Sequence, residues 1–98
     1  MKVMVATSFF SALARLTPNE QAQAIRFVNE FQANPKSSGI SLERLHVRNK
    51  DVWSGRITRD LRAIIHQAGE IWSLLYADHH DSAYKWAERR SVGIHPVT

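Results

Sequence analysis

The sequence predicts an α+β fold in which a small antiparallel sheet carries a helical hairpin on one face and a helix at its C-terminal end. The predicted order of elements is β-α-α-β-β-β-α. Apolar residues between positions 8 and 34 recur at intervals of three and four, which is typical of amphipathic helices. Those between positions 51 and 77 alternate or form short bulky runs, which is typical of strands. Helical spacing returns from position 81 to position 90.

The size and composition predict one folded domain over residues 1–98. A chain of 98 residues buries roughly 60–70% of its unfolded surface, which is enough for one core. Its 44% hydrophobic and 22% charged residues are ordinary for a globular protein, so disorder is not expected. The absence of cysteine excludes a disulfide framework and a thiolate metal site, and it fits a reducing compartment.

The N-terminal residues argue against export. Residues 1–6 are too few and are followed too soon by polar residues to form a signal peptide. No apolar run approaches the ~20 residues of a membrane span. A cytoplasmic location without membrane contact is therefore expected.

The first half of the chain is predicted as a strand followed by two helices. Residues 2–6 form a short strand, and a helical stripe begins after Ser8. Thr17 is placed to cap the second helix, with Pro18 at its first position and Glu20 completing a capping box. That helix ends before Pro35, because the residue before proline avoids helical geometry. Four phenylalanines are expected to pack in the core or between the helices: Phe9, Phe10, Phe27 and Phe31.

The next two strands are joined by a turn near residues 58–60. Val52, Ser54 and Arg56 alternate with Trp53, Gly55 and Ile57. If the turn has three residues, Arg56 lies opposite Arg62, and two like charges side by side favour an anionic partner. A two-residue turn would place the two arginines on opposite faces. The sequence leaves this register open.

The last strand and helix bring polar residues together. Residues 71–77 form a bulky strand, and residues 78–81 are Asp-His-His-Asp. The helix that follows is capped by Asp81 or Ser82 and runs to Arg90. Since the helical hairpin covers one face of the sheet, the other face is expected to remain free for a ligand or a partner.

Positive charge is concentrated in one segment. The net charge is +4, and residues 63–84 contain no lysine or arginine. Clustering of this kind is the electrostatic footprint of a protein that binds a phosphate backbone. A solvated basic face, or a surface for an acidic partner, explains the same pattern. The predicted contact residues lie between positions 41 and 62: Arg44, Arg48, Lys50, Arg56, Arg59 and Arg62.

Together, the element order, size and charge pattern resemble those of the RelE/ParE toxin superfamily. The resemblance includes the helix start Leu-Thr-Pro-Asn-Glu at 16–20, Asn34-Pro35, and the strand Asp-Leu-Arg-Ala-Ile-Ile at 60–65. Residues 76–90, followed by His-Pro-Val-Thr at 95–98, resemble more closely a branch in which a RelE-like domain precedes a UvrD-like, superfamily-one helicase.

The resemblance implies site residues on the sheet face opposite the helical hairpin. Members of the family that cut messenger RNA on the ribosome use lysines, arginines and a tyrosine there. Arg62 matches the strand arginine of the family, Tyr84 resembles its tyrosine, and His79 or His80 lies near a second basic position. Where such enzymes place two lysines on the preceding strand, this chain has Trp53 and Gly55.

Structural explanations compete with these roles. Arg62 is expected to contact phosphate, and the alternative is an ion pair with one of three nearby aspartates, Asp60, Asp78 or Asp81. Neither a metal site at the adjacent histidines nor any other cofactor is expected, because neighbouring residues rarely converge on one ion. Tyr84 and Trp86 either stack on nucleotides or dock the helix on the sheet.

These observations leave three hypotheses for function. The first is a module that binds RNA or DNA at the N-terminus of a UvrD-like DNA helicase, with little or no ribonuclease activity of its own. The second is an active RelE-type toxin, an mRNA endoribonuclease with Arg62, His79, His80 and Tyr84 at work and an antitoxin peptide as partner. The third is a ParE-like protein-interaction domain.

Overall fold

The structure is a computed structural model that describes residues 2–48 and 51–93, with side chains as far as Arg90. The N-terminal part contains β1 (Lys2–Val5), α1 (Thr7–Leu13), α2 (Pro18–Ala33) and a short 3₁₀ helix (Ser38–Ile40). The rest contains β2 (Glu43–Arg44), β3 (Val52–Arg56), β4 (Leu61–Ala68), β5 (Ile71–His79) and α3 (His80–Gly93).

The strands form one sheet in the order β1-β5-β4-β3-β2. β1 runs parallel to β5, and the other neighbours are antiparallel. This architecture confirms the predicted α+β fold. The two-residue strand β2 and the 3₁₀ helix were not predicted, since each is too short to leave a periodic pattern in the sequence.

The helical hairpin begins and ends as its sequence predicts. Thr17 Oγ1 accepts from the Glu20 backbone N–H at 3.2 Å, and Glu20 Oε1 accepts from the Thr17 backbone N–H at 3.0 Å. This reciprocal pair is the predicted capping box, with Pro18 in the first turn. Asn34 caps the C-terminus immediately before Pro35.

One face of the sheet packs against this hairpin. The core there contains Phe9, Phe27 and Phe31 from the helices against β4 and β5 residues such as Ile65 and Leu74. The expectation for Phe10 was wrong, because its side chain is 60% exposed. α1 has only two buried residues, Phe9 and Ala12, so a single narrow stripe of this short helix faces the protein.

α1 also covers part of a strand edge. β1 pairs with Ile71–Leu74, and no other strand of residues 2–48 and 51–93 lies beside the C-terminal half of β5 on that side. The Ser8 hydroxyl donates to the Leu75 carbonyl there. A β-bulge lies at this level, where Ile64 pairs with Tyr76 but Ile65 pairs with Leu74.

α3 covers part of the opposite face, which the sequence analysis expected to be free. Ala83 and Ala87 are buried against a second core that includes Val52, Ile64 and Tyr76. Alanine at these two positions lets the helix lie close to the strands. A ligand on this face therefore meets the flanks and the first turn of α3.

α3 starts earlier than predicted. Its first residue is His80, so Asp81 and Ser82 lie within the first turn and neither is the cap. The His80 backbone N–H donates to the Asp60 carbonyl at 2.9 Å, which ties the helix start to the turn between β3 and β4. The helix start therefore lies at the end of the sheet that carries Arg62. No helix among the described residues is both long and apolar enough to cross a membrane.

Candidate functional site

The turn between β3 and β4 sets two arginines side by side. The Ile57 backbone N–H donates to the Leu61 carbonyl at 3.0 Å, which leaves residues 58–60 as a three-residue turn. Arg56 therefore pairs with Arg62, as predicted for a turn of this length. Arg62 pairs in turn with Asp78 on β5. Strand alternation places this charged row on the face that carries α3, because Ile64 points to that side.

The guanidinium of Arg62 binds the turn. Its Nη1 donates to the carbonyls of Thr58 at 2.8 Å, Arg59 at 3.1 Å and Leu61 at 3.0 Å. Within residues 2–48 and 51–90, Arg62 forms no ion pair, so the predicted alternative of an aspartate partner is not formed. The carbonyl oxygens partly offset its charge and hold the arginine in place beside Arg56.

Asp78 is engaged by other groups. The Tyr76 hydroxyl donates to Asp78 Oδ2 at 3.0 Å, and the His79 backbone N–H donates to Oδ1 at 2.8 Å. Arg15 Nη2 donates to the Tyr76 hydroxyl at 3.1 Å. Burial, then the hydrogen bond to Asp78, raises the pKa of Tyr76, so this phenol stays protonated.

His79 lies on the hairpin side of the sheet. Its Nε2 is 2.9 Å from Glu20 Oε2, and its Nδ1 is 3.3 Å from Asp78 Oδ1. The hydrogen bond to Glu20 raises the pKa of His79, while the Thr17 backbone N–H, followed by His79, lowers the pKa of Glu20. His79 pairs with Leu61, one residue from Arg62 and pointing to the other face. This histidine therefore ties β5 to the N-terminus of α2.

His80, by contrast, lies with Tyr84 and a residue that sequence reasoning missed. The His80 and Tyr84 rings have centroids 4.3 Å apart. The Tyr84 hydroxyl donates to Glu43 Oε1 at 3.3 Å. Glu43 pairs with Ser54, which is buried and is two residues from Arg56 on the same face of β3. Tyr84 thus contacts both a carboxylate and an imidazole, on the same face of the sheet as the strand positions of Arg56 and Arg62. This face is called the site face below.

Glu43 gave no clear signal in the sequence. It lies in a two-residue strand, which is too short to leave a periodic pattern. Its position depends on β2 pairing with β3 and on α3 folding back over the sheet. A groove of about 300 Å³ separates β2 from α3 at this point. The groove is lined by Glu43, Arg44, Leu45, His46, Val47, Tyr84 and Glu88.

The predicted basic residues do not form one surface. The Arg44 guanidinium carbon lies 4.6 Å from the centroid of the Trp53 ring. Because Trp53 packs against the hairpin core, this arginine stacks on the far side of the sheet edge. Arg48 and Arg59 are exposed in loops, and Lys50 lies outside the described residues. Arg56 and Arg62 are the predicted cations whose strand positions lie on the face that carries α3. Arg56 also lines a groove of about 130 Å³ that includes Arg26 and Glu30 of α2.

The two positions compared with the lysines of the RNA-cutting toxins also face the hairpin. A Cβ atom on Gly55 would lie 2.6 Å from Phe27 Cζ, so this residue points into the hairpin core. Trp53 packs on the same side. The residues that β3 presents to the site are therefore Ser54 and Arg56. The difference at Trp53 and Gly55 does not remove positive charge from the site face.

The remaining aromatic residues are mainly structural. Trp86 stacks on Tyr76 with ring centroids 4.4 Å apart and planes 2° apart, which docks α3 on β5. Trp72 is buried at 3% exposure, as expected for a core residue. Trp53 is only partly buried, and its Nε1 has no hydrogen-bond partner in the described part of the chain. Among those same residues, no three His, Asp or Glu side chains cluster as a metal site would require.

Comparison with known proteins bears on the fold. No protein-family model matches the chain, and no curated protein sequence matches it. Solved structures do match it. A chain of the RelBE2 toxin-antitoxin complex from Mycobacterium tuberculosis is 20% identical with a TM-score of 0.65, over 81% of this chain and 96% of that one. The YoeB/ParE toxin from Agrobacterium tumefaciens is 18% identical with a TM-score of 0.61, over 82% and 99%.

A third solved structure gives the same result. A chain of the RelB-RelE antitoxin-toxin complex from Methanococcus jannaschii is 16% identical with a TM-score of 0.65, over 85% of this chain and 96% of that one. At these identities the likeness concerns the backbone, and the matches extend over nearly the whole of each related chain. The chain therefore has the RelE-like toxin fold.

Proposed function

We propose that this chain is a RelE-type endoribonuclease that cuts messenger RNA and whose activity an antitoxin controls. The observation that carries the proposal is the contact of Tyr84 with both Glu43 and His80, on the sheet face to which the paired strand positions Arg56 and Arg62 belong. The RelE-like fold supports it, since solved chains with this fold come from toxin-antitoxin complexes.

The grouped side chains match what RNA cleavage requires. The 2′ oxygen attacks the adjacent phosphorus while a base takes its proton. The bond from phosphorus to the 5′ oxygen then breaks as an acid protonates that oxygen, leaving a 2′,3′-cyclic phosphate and a 5′ hydroxyl. Glu43 is suited to act as the base, and His80, which is exposed at the helix start, as the acid. Tyr84 positions Glu43 through the bond between its hydroxyl and Oε1.

The two arginines supply the positive charge that the reacting phosphate needs. Negative charge builds on the phosphate oxygens in the transition state, and guanidinium groups stabilise it through charge-assisted hydrogen bonds. Arg62 is held by the turn carbonyls through Nη1, so it is fixed before RNA binds. Arg56 is exposed and lies opposite Arg62 on the neighbouring strand, so two cationic residues occupy adjacent strand positions.

Expression in bacterial cells tests the proposal. Induced wild-type chain is expected to arrest growth, and primer extension is expected to show new 5′ ends within messenger RNAs. Glu43→Gln should relieve the arrest, because general acid–base groups typically contribute about 10²- to 10⁴-fold in rate. Tyr84→Phe should weaken the arrest, because it removes the hydroxyl that positions Glu43. Harmless expression of folded wild-type chain with intact messenger RNA would overturn the proposal.

The adjacent histidines provide a matched control. His80→Asn is expected to relieve the arrest, whereas His79→Asn is expected to preserve it, because His79 binds Glu20 on the other side of the sheet. Arrest that survives Glu43→Gln, Tyr84→Phe and His80→Asn together would favour the ParE-like alternative, in which the chain acts by binding a protein.

The other hypothesis, a nucleic-acid-binding module of a UvrD-like helicase, is favoured by the sequence resemblance of residues 76–90. The RelE-like fold is compatible with it, because a binding module can keep the sheet and the arginines without cutting RNA. The discriminating observation is the reading frame that encodes the chain. A downstream helicase motor, combined with harmless expression, would select this alternative.

A further inference from the structure

A second groove lies on the other flank of α3, away from Glu43 and Tyr84. It has a volume of about 280 Å³ and lies between α3 and the C-terminal half of β5. Ser82, Lys85 and Arg89 line its helix side, and Tyr76 and Asp78 line its strand side. Trp86 stacks on Tyr76 and closes the apolar part of the floor.

Positive charge dominates this groove. Lys85 and Arg89 are four residues apart, so they lie on one flank of the helix, and both are exposed. Arg15 reaches the same place from the turn between α1 and α2, with its Nη2 on the Tyr76 hydroxyl and its guanidinium carbon 5.8 Å from the Tyr76 ring centroid. Within residues 2–48 and 51–90, none of these three cations forms an ion pair.

The carboxylate in the groove offsets only part of the charge of these three cations. Asp78 accepts hydrogen bonds from the Tyr76 hydroxyl on one oxygen and from the His79 backbone N–H on the other. Both bonds hold it at the strand side, whereas Lys85 and Arg89 extend from the helix. An anion seated between the helix and Arg15 therefore meets three positive groups and the Ser82 hydroxyl.

We propose that this second groove binds the phosphate backbone of single-stranded RNA and extends the contact surface beyond the catalytic face. This inference rests on the proposed function, because it assigns RNA as the ligand of both grooves. Phosphates are favoured over an acidic polypeptide because the groove is polar. Its aromatic pair is already stacked on itself and offers no pocket for an apolar anchor residue.

The two grooves lie on opposite flanks of one helix. Tyr84 and Glu88 line the first, and Lys85 and Arg89 line the second. A helix with its side chains is about 10–12 Å wide, so a strand that contacts both grooves must pass α3. The shorter route passes the first turn of α3, beside His80 and the adjacent strand positions Arg62 and Asp78. Nucleotides on either side of the cut would then be held by different flanks.

Binding of an RNA that cannot be cut tests the inference separately from cleavage. A fluorescein-labelled 2′-O-methyl oligoribonucleotide has no 2′ proton to lose, so its anisotropy reports binding alone. The salt dependence is measured for wild type and for Lys85→Gln/Arg89→Gln. Each lost phosphate contact on a single strand lowers the slope of log K against log salt by about 0.7, so the double variant should lose about 1.4.

A variant with the same net charge serves as the control. Lys2→Gln/Lys36→Gln removes two exposed cations, one from β1, which pairs with the other end of β5, and one from the loop after α2. Its slope is expected to equal that of wild type. An equal loss of slope in both double variants, or no loss of slope in either, would overturn the inference. So would a Lys85→Gln/Arg89→Gln variant that loses binding to poly-glutamate but still binds RNA as wild type does. Failure of wild type to cut RNA, with the expected slopes, would refute the proposed catalysis alone.

Discussion

Gly55 offers a direct test of how the sheet packs on the helical hairpin. A methyl group at this position would lie 2.6 Å from Phe27 Cζ, 3.1 Å from Phe27 Cε2 and 3.2 Å from Ile65 Cδ1. Carbon atoms in contact normally lie about 3.5–4.0 Å apart, so Gly55→Ala overlaps the Phe27 ring by roughly 1 Å. Both neighbours belong to the buried core, so neither can move away without displacing others.

The expected magnitude follows from two opposing effects. Overpacking a filled core costs about 1–3 kcal/mol, while replacing glycine by alanine in an unstrained backbone stabilises by about 0.4–1 kcal/mol. Gly55 is not among the residues with positive φ, so the second effect applies. The net expectation is a destabilisation of about 1–2 kcal/mol. For a domain of this size, each kcal/mol lowers Tm by about 4–8 °C.

Urea unfolding and thermal unfolding, followed by circular dichroism, measure the change. Gly39→Ala is the control, because its methyl group would meet the Glu30 carboxylate at 3.3 Å on the protein surface, where the side chain can move. Phe27→Leu should lessen the effect of Gly55→Ala in a double-mutant cycle, since it removes the atoms in conflict. A neutral or stabilising Gly55→Ala would show that β3 does not present Gly55 to the hairpin.

Two further predictions concern the N-terminus of α2. Thr17→Ala removes the side-chain acceptor of the capping box and is expected to cost about 1 kcal/mol in urea unfolding, whereas retention of full stability would argue against the cap. The bond between His79 and Glu20 is expected to make stability depend on pH. The raised pKa of His79 gives a contribution that is complete below its unfolded value of about 6.5 and is lost as pH rises through the folded pKa. The lowered pKa of Glu20 gives one that is present above about 4.5 and is lost as pH falls through its folded pKa. The difference in unfolding free energy between wild type and His79→Gln should therefore be larger at pH 5.5 than at pH 8, and an equal difference at both would contradict the geometry.

Local features of the sequence determined most of the secondary structure. The capping box at Thr17, the stop before Pro35, and the alternation around Arg62 each depend on neighbouring residues alone, and each is present in the fold. The start of α3 was misplaced by two or three residues, because His80 is fixed by the distant carbonyl of Asp60. That long-range contact has no counterpart in the residues around the helix start.

The composition of the candidate site depended on tertiary structure. Two adjacent histidines look equivalent in the sequence, yet β5 ends between them. His79 keeps the alternation of a strand and reaches Glu20, while His80 opens a helix and meets Tyr84. Glu43 joins His80 and Tyr84 only because β2 pairs with β3 and α3 folds back across the sheet.

The sequence by itself determined the order of the elements apart from β2 and the 3₁₀ helix, the positive charge of residues 41–62, and the two possible registers of Arg56 and Arg62. The tertiary structure decided which register forms, which face each residue points to, and that α3 covers the middle of the supposedly free face. The physical reason is the reach of the interactions involved. Periodicity and capping depend on residues a few positions apart, whereas a site depends on side chains that only strand pairing and helix packing bring together.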